Sequence, residues 1–477
     1  MSSNISLPTQ FPVTSHTDFV GAGSTFVAIK GMKEDGVAYI KTALLRGASK
    51  IVVQENANIA SDIVDAITKA QAQLVKVTDT RLALAQLSAE ALNYPTNRLR
   101  IIGITGTKGK TTTAFLLEHI LSKAGFKTAL LSTVKNKILD TDLPTTLTTQ
   151  HPDYLHVFFD ACVKAGVTHV VMEVAAQAMS LQRVAGIAFD GAIFTNFDQE
   201  HAEFYTNLAD YFAAKCTLFS AVKAGAPSLI NIDNSSCKKF FDQYSRQYTL
   251  TSFGKTTHAQ LQITNLHVQP CVTFDLHLQG IHHISCPALV GNFNSYNIAV
   301  SVSMAFALGA PMRAITDALH VFPGVPGRFE RHTLPNGAMC VIDHAHNPSS
   351  FKAVLSTLRQ LTSHLIVVFG AGGERDATKR PMMGATTAEL ADLVVLTSDN
   401  PRSECPQAII EQIKQGIDAE HMHKITEELD RTVAITKAYQ SSRPGSVIAL
   451  LGKGSDEYQI MGDIKTFFSE KLIIKGL

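Results

Sequence analysis

What the chain lacks narrows it first. Neither sign of charge dominates: 42 Lys and Arg against 41 Asp and Glu leave a formal net charge of +1. Charge therefore points to neither nucleic acid nor an anionic membrane as a partner. No C-x-x-C pair occurs among the seven cysteines, which stand singly at 162, 216, 237, 271, 286, 340 and 405. That odd, scattered set argues against a disulfide frame or a zinc site and for a reducing compartment. No apolar run approaches the about 20 residues of a membrane span. The N-terminus has no basic region followed by an apolar core, so no signal peptide is expected and the cytoplasm is the expected location. Low-complexity tracts and internal repeats are also missing.

What is present suits a soluble globular protein: 477 residues, 45% hydrophobic and 17% charged. That length implies roughly three domains of about 150 residues each. Strand and helix patterns alternate throughout, so the class is α/β. In the first domain, residues 1–95, strands are expected at 24–29, 50–54 and 74–77, with helices at 39–47 and 80–92. A linker is expected at 93–97. The second domain, residues 96–330, alternates strands at 129–134, 168–173, 191–195 and 228–233 with helices, which implies a mostly parallel sheet. Pro152 is placed to start a helix over 153–166. Further β structure is expected over 247–290 and a helix over 296–308. In the third domain, residues 331–477, strands at 340–343, 365–369, 393–397 and 447–451 imply an open parallel sheet. Ligands of such sheets gather at the carboxyl ends of the strands.

The organising stretch is Arg100-Ile-Ile-Gly-Ile-Thr-Gly-Thr-Lys-Gly-Lys-Thr-Thr-Thr113. A short apolar strand runs into glycines at 103, 106 and 109, then Lys110, then a helical pattern. Glycines let backbone N–H groups approach phosphates, a helix N-terminus adds its dipole, and a threonine hydroxyl suits Mg²⁺. The strict P-loop spacing fails, because Ile104 stands where its first glycine belongs. The form is G-x-x-G-x-x-G-K-T-T, which we read as an ATP-binding loop.

Other residues carry chemistry by position. Glu173 closes the apolar run Val170-Val-Met-Glu173; it reads as a Mg²⁺ ligand facing the phosphates or as half of a structural salt bridge. His201, past another strand end, reads as a metal ligand, a general base or an exposed loop histidine. Lys215 shares a helical row with Leu208, Tyr211 and Leu218, the face that should be buried. A buried lysine has a lowered pKa and can take up CO₂ to give a carbamate suited to Mg²⁺, whereas a snorkelling lysine keeps its head in water. Asp343-His-Ala-His346 has a His-x-His spacing but no third zinc ligand nearby. Asp343, Gly370 to Arg375, Asp399 to Arg402 and Gly452 to Asp456 all follow strand ends. Arg375 and Arg402 read as a bidentate grip on a carboxylate or as solvated loop charges.

Taken together, these residues resemble the Mur ligases, and within them the MurE type, over nearly the whole chain. Gly103 to Thr112 is similar to the G-x-T-G-T-N-G-K-T-T loop, with Lys108 in place of Asn. Met172-Glu-Val174 resembles the strand supplying the magnesium carboxylate. Thr195-Asn-Phe-Asp-Gln-Glu-His201 resembles T-N-x-x-x-D-H, whose histidine binds metal, and Ala213-Ala-Lys215 resembles A-A-K, whose lysine is carbamylated. Gly291 to Asn297 resembles G-x-F-N-x-Y-N. Val325 to Glu330 and Asp343 to Pro348 resemble V-P-G-R-x-E and D-Y-A-H-x-P. Gly372 to Gly384 resembles G-G-D-R-D-x-x-K-R-P-x-M-G, and Asp399-Asn-Pro-Arg402 resembles the D-N-P-R box associated with meso-diaminopimelate.

The resemblance implies three domains: a small N-terminal UDP-binding α/β domain, a central P-loop-type ATPase domain and a C-terminal Rossmann-like domain. It implies ATP contacts from Gly106, Thr107, Lys108, Gly109, Lys110, Thr111, Thr112, Asn294, Asn297, Arg328 and Asp343. Mg²⁺ would be held by Thr111, Glu173, His201 and Lys215, the last as N6-carboxylysine, and Lys110, Glu173, His201 and Lys215 would be catalytic. The UDP-MurNAc-dipeptide would meet Thr17, Thr148, Thr149 and Arg183. The incoming diamino acid would meet Arg375, Asn400, Arg402, Gly452 and Asp456. A monomer is expected. Departures fall at His16-Thr17-Asp18, at Ala175-Ala176-Gln177 and at Ser455-Asp456, where the MurE pattern has D-S-R, S-S-H and H-E. They leave lysine, another amino acid or a folate-type carboxylate as alternative substrates.

Overall fold

The computed structural model describes residues 5–31, 34–198, 204–205 and 207–477. His201 therefore lies outside the described residues. The chain divides into two compact units. One comprises Met1–Thr264, Leu276–His282 and Tyr296–Leu319; the other comprises Asn265–Asp275, His283–Ser295 and His320–Leu477.

The first unit opens with a four-stranded parallel sheet in the order Val13–Thr14, Thr25–Val27, Lys50–Gln54, Gln73–Val77. The expected linker holds a 3-10 turn, Pro95–Arg98. A larger sheet follows. Its parallel core runs Leu250–Gly254, Ser228–Asn231, Gly191–Phe194, Arg100–Thr105, His169–Glu173, Thr128–Leu131. Arg100–Thr105 thus lies mid-sheet, which explains why Ile101, Ile102 and Ile104 are all fully buried. Gly103 has a packing reason: a Cβ there would meet the Phe189 ring at 2.9 Å and Leu218 at 3.1 Å. Its absence lets the helix Leu208–Ser220 lie close to this strand. That helix is capped by Asn207, whose side chain accepts from the Asp210 N–H.

The second unit is built on a six-stranded sheet in the order Glu330–Thr333, Met339–Asp343, Val447–Leu451, Leu365–Phe369, Leu393–Leu396, Ile425–Glu427. Only the first strand is antiparallel. A hairpin, Tyr458–Met461 with Ile464–Phe467, follows the last core strand.

The long apolar strands stand close to their expected places, and the β structure expected over 247–290 is present as four strands. The helix Ser61–Lys69 and the strands Glu330–Thr333 and Ile425–Glu427 were not foreseen. The two strands are short and polar, held by pairing to a neighbour rather than by an apolar pattern. Leu208 corrects the helical row drawn for Lys215: it is exposed, while Tyr211, Lys215 and Leu218 are buried.

Candidate active site

The loop after Arg100–Thr105 is held by the segment after Gly191–Phe194, its sheet neighbour. The Thr107 N–H donates to the Asn196 carbonyl at 2.9 Å, and the Lys108 N–H to Asn196 Oδ1 at 2.9 Å. The Lys108 carbonyl accepts from Thr195 Oγ1 at 2.6 Å and from Asn196 Nδ2 at 2.9 Å. Gly106, at φ +145°, must be glycine, since a Cβ would fall 1.9 Å from Thr195 Oγ1. Gly109, at φ +81°, is the N-cap of the helix Lys110–Lys123 and leaves no room for a Cβ beside Asn297 Oδ1. Asn297 Oδ1 also accepts from Thr113 Oγ1 at 3.3 Å. The N–H groups of the helix's first turn have no intrahelical acceptor, so they form the anion-facing end. The Lys110 ammonium reaches the Gly106 and Thr107 carbonyls at 2.8 and 3.0 Å.

Glu173 is 1% exposed. Among the described residues its carboxylate meets hydroxyls and an N–H rather than a cation: Thr111 Oγ1 at 3.1 Å, Thr133 Oγ1 at 3.2 Å and the Thr133 N–H at 2.9 Å. The salt-bridge alternative is therefore set aside. Thr133 Oγ1 also lies 3.1 Å from Thr148 Oγ1. Thr149 donates its hydroxyl to the Glu173 carbonyl at 2.9 Å, and Arg183 Nη1 donates to the Thr149 carbonyl at 2.9 Å. One hydrogen-bonded chain thus joins Thr111, Glu173, Thr133 and Thr148. Burial holds the neighbouring His151 imidazole below its ordinary range, with Arg183 adding to the effect. Asp153 Oδ2 accepts from Thr14 Oγ1 at 2.8 Å and from the Ser15 N–H at 3.1 Å, which places the turn containing Thr17 beside this segment.

Lys215 is 1% exposed, so its head does not snorkel. Its Nζ donates to the Gly106 carbonyl at 2.8 Å and sits 4.4 Å from the centre of the Tyr211 ring. The buried lysine and the phosphate loop therefore share a contact at Gly106.

In the second unit, the four strand-end segments come together. The Gly373 N–H donates to the Asn400 carbonyl at 2.9 Å, and Arg402 Nη1 to the Gly373 carbonyl at 2.7 Å. Asn400 Oδ1 accepts from Lys453 Nζ at 3.1 Å and from the Ile460 N–H at 2.9 Å. The Gly452 N–H donates to the Asp343 carbonyl at 3.1 Å. Asp343 Oδ2 and Oδ1 accept from the Phe329 and Ala345 N–H groups, both at 2.7 Å. Burial pushes the Asp343 carboxyl up, opposed by Arg328. Burial likewise raises Asp456, opposed by Lys453. Asn294 Nδ2 donates to the Val290 carbonyl at 2.8 Å. Arg375 is exposed on its loop.

With this geometry in place, comparison with known proteins is informative. Three family models match in chain order: "Mur ligase family, catalytic domain" over residues 13–91, "Mur ligase middle domain" over 104–305 and "Mur ligase, glutamate ligase domain" over 327–454. A UDP-N-acetylmuramoyl-L-alanyl-D-glutamate–2,6-diaminopimelate ligase from Clostridium botulinum is 36% identical over 462 residues, covering 96% of this chain and 93% of that protein. The chain belongs to the Mur ligase family. A ligase of the same name from Thermosynechococcus vestitus is 37% identical, covering 94% of this chain and 89% of the relative. A solved structure of a ligase of that name superposes with a TM-score of 0.67 at 27% identity, covering 98% of this chain and 94% of that one. Mur ligases are ATP-dependent ligases, and this chain has their three-domain α/β architecture. Among the described residues no helix is long and apolar enough to cross a membrane.

Several residues that shape these strand-end loops were not singled out from sequence. Thr133 follows the strand Thr128–Leu131, next to His169–Glu173, and that strand-end position was its available signal. Arg380 is buried under the 372–375 loop, donating to Glu404 at 2.7 and 3.0 Å and to the Gly372 carbonyl at 3.0 Å. Lys453 lies between Asn400 and the Tyr458 carbonyl. Thr133 meets Glu173, Arg380 meets Glu404 and Lys453 meets Asn400, partners 40, 24 and 53 residues away along the chain and beyond any local pattern.

Proposed function

We propose that this Mur ligase joins meso-2,6-diaminopimelate to UDP-N-acetylmuramoyl-L-alanyl-D-glutamate, at the expense of ATP, in peptidoglycan precursor synthesis. The observation that carries the reading is the mutual bracing of the Gly372-Gly373 and Asp399-Asn-Pro-Arg402 loops, which presents Arg402 and Asn400 at the sheet's carboxyl end. A diamino acid with two carboxylates suits such arginine-bearing loops.

In the proposed reaction the dipeptide's terminal carboxylate attacks the γ-phosphorus of ATP, releasing ADP and leaving an acyl phosphate. Lys110 and the first-turn N–H groups of its helix stabilise the charge spread over the transferred phosphoryl group. The amine of the incoming residue then attacks the acyl carbon, phosphate leaves, and the nitrogen loses its proton. Asn294, Asn297, Arg328 and Asp343 serve the nucleotide. Thr17, Thr148, Thr149 and Arg183 serve the UDP substrate. Arg375, Asn400, Arg402, Gly452 and Asp456 serve the diamino acid.

Magnesium, when bound, supplies charge neutralisation at the phosphates. The Thr111 hydroxyl and the buried Glu173 carboxylate, 3.1 Å apart, are hard oxygen donors of the kind it takes. His201 and a carbamylated Lys215 are assigned to the same function. Loss of activity in Lys215→Ala with rescue by short-chain carboxylates supports the carbamate; full activity without rescue excludes it. We take the enzyme as a cytoplasmic monomer.

Phosphate release with UDP-MurNAc-dipeptide and each of meso-diaminopimelate, lysine and ornithine tests the reading. Release with diaminopimelate is expected. Release with lysine alone overturns the amino-acid assignment. No release with any of the three overturns the ligase assignment.

A further inference from the structure

We propose that Glu404 is a positioning residue for the incoming amino acid: by holding the backbone at Glu374 it aims the neighbouring Arg375. The proposal deepens the reading above and rests on it. Glu374 has a left-handed backbone, φ +55°, which a residue with a side chain adopts at a cost. Such a conformation persists where its surroundings over-determine it, and such residues cluster at ligand clamps.

Glu404 Oε1 accepts from the Glu374 N–H at 2.5 Å. Ser403 Oγ donates to the Glu374 carboxylate, also at 2.5 Å. The Glu404 carboxylate is itself held by the buried Arg380, which donates to both of its oxygens at 2.7 and 3.0 Å. Arg380 also reaches Gln412 Oε1 at 2.6 Å and the Gly372 carbonyl at 3.0 Å. The Arg380 hydrogen bonds hold the Glu404 carboxyl below its ordinary range, and the Glu374 N–H adds to this against burial. On its other side the loop is tied at Gly373 to Arg402 and Asn400. Gly373 fits there closely, since a Cβ would fall 1.9 Å from the Pro401 carbonyl. The backbone is thus fixed through Glu374, and the exposed Arg375 leaves from the next residue. An exposed arginine has many rotamers, so the direction of its Cα–Cβ bond is the part of its aim that the fold sets.

Steady-state phosphate release, with ATP and UDP-MurNAc-dipeptide saturating and meso-diaminopimelate varied, tests this. Glu404→Gln should raise the KM for diaminopimelate about tenfold, the scale of one charge-assisted hydrogen bond, with kcat and the KM for ATP unchanged. Glu404→Asp keeps the charge that Arg380 needs but draws the carboxylate back from the Glu374 N–H, so the KM should still rise. Thermal unfolding establishes that each variant is folded, and Glu404→Asp carries the test if Glu404→Gln is not. Arg375→Ala removes the group being aimed, so adding a Glu404 variant to it should raise the KM no further. An unchanged KM in the Glu404 variants overturns the proposal. So do effects that multiply in the double variant. So does a fall in kcat together with a rise in the KM for ATP, the mark of a merely structural loss. Where the wild-type chain ligates lysine or ornithine instead, the diaminopimelate assignment fails and the same cycle is read with that amino acid. A chain that ligates none of the three overturns both.

Discussion

The glycine loop of the first unit and the loops proposed for the diamino acid in the second are both strand-end loops on parallel sheets, yet they are braced by different chemistry. Around Gly106 to Gly109 the groups reaching over from the neighbouring strand end are neutral, the hydroxyl, amide and backbone groups of Thr195 and Asn196, while Lys110 and Lys215 add ammonium contacts to the loop's carbonyls and Lys108 pairs with Asp198 on an open surface. Glu173 is likewise held by two hydroxyls and an N–H. In the second unit buried ion pairs are added to the backbone and amide contacts between the loops. Buried Arg380 grips Glu404, Arg431 grips Glu470 at 2.7 and 2.9 Å, and Lys453 lies 3.6 Å from Asp399. A cradle for a polyanion gains from neutral supports, because they do not cancel the charge of its lysine or its helix dipole. Loops proposed to receive a zwitterion already present both signs, and long charged arms stay put when paired. The two designs fail differently. Removing a neutral partner loses one hydrogen bond, whereas removing one member of a buried ion pair strands the other.

The largest expected effect is at Arg431, which is 1% exposed. Burial already pushes the Glu470 carboxyl up, against the pull of Arg431. Arg431→Met should lower the unfolding free energy by about 3 kcal/mol, and adding Glu470→Leu should restore most of it. Urea unfolding measures both; a double variant no better than the single one would erase the contrast drawn above.

The next effect separates the regions by pH. His156, 1% exposed in the first unit, is held near a pKa of about 4 by burial, against an ordinary 6.5. Its folded value is lowered, so the unfolded chain takes up the proton first. Stability is lost as pH falls from about 6.5 towards 4. Between pH 7.5 and 5 that loss is about 2 kcal/mol, which a His156→Phe variant should not show. Equal acid sensitivity of the two proteins would count against it.

The smallest effect is on the neutral side. Thr133→Val removes a hydroxyl while keeping the N–H that meets Glu173. It should cost about 1 kcal/mol in stability. It should also raise the Mg²⁺ concentration needed for half-maximal phosphate release, if Glu173 serves the ion. A loss as large as that at Arg431 would show that the neutral brace carries more than its chemistry suggests.

The contrast also explains what could be read from sequence. The glycines at 106 and 109 were legible because backbone geometry writes itself at fixed spacing, whereas Gly103, read with them as part of the loop, lies inside the strand and packs against Phe189 and Leu218. Lys215 was legible as buried because a helix repeats every 3.6 residues, although the same row misplaced Leu208. The strand-end positions of Asp343, Gly370, Asp399 and Gly452 were legible because long apolar runs mark the strands. Thr133, Asp198, Arg380 and Lys453 were not. Each draws its meaning from a partner that pairing and crossover bring from another strand end. The carbamate at Lys215 was raised from its expected burial beside a snorkelling alternative, and only the family resemblance favoured it, since spacing reports burial and does not choose between them.

The hold of Asn196 on Thr107 and Lys108 bears on the thermodynamics of nucleotide capture. Two of the loop's amides are tied at 2.9 Å to a neighbouring strand end. In deuterated solvent they should exchange at the slow rates of sheet amides, although they belong to a loop. Much of the conformational entropy of this segment is surrendered when the chain folds. Ligand association then has little left to order at this end of the loop, and more of the contact energy appears as affinity.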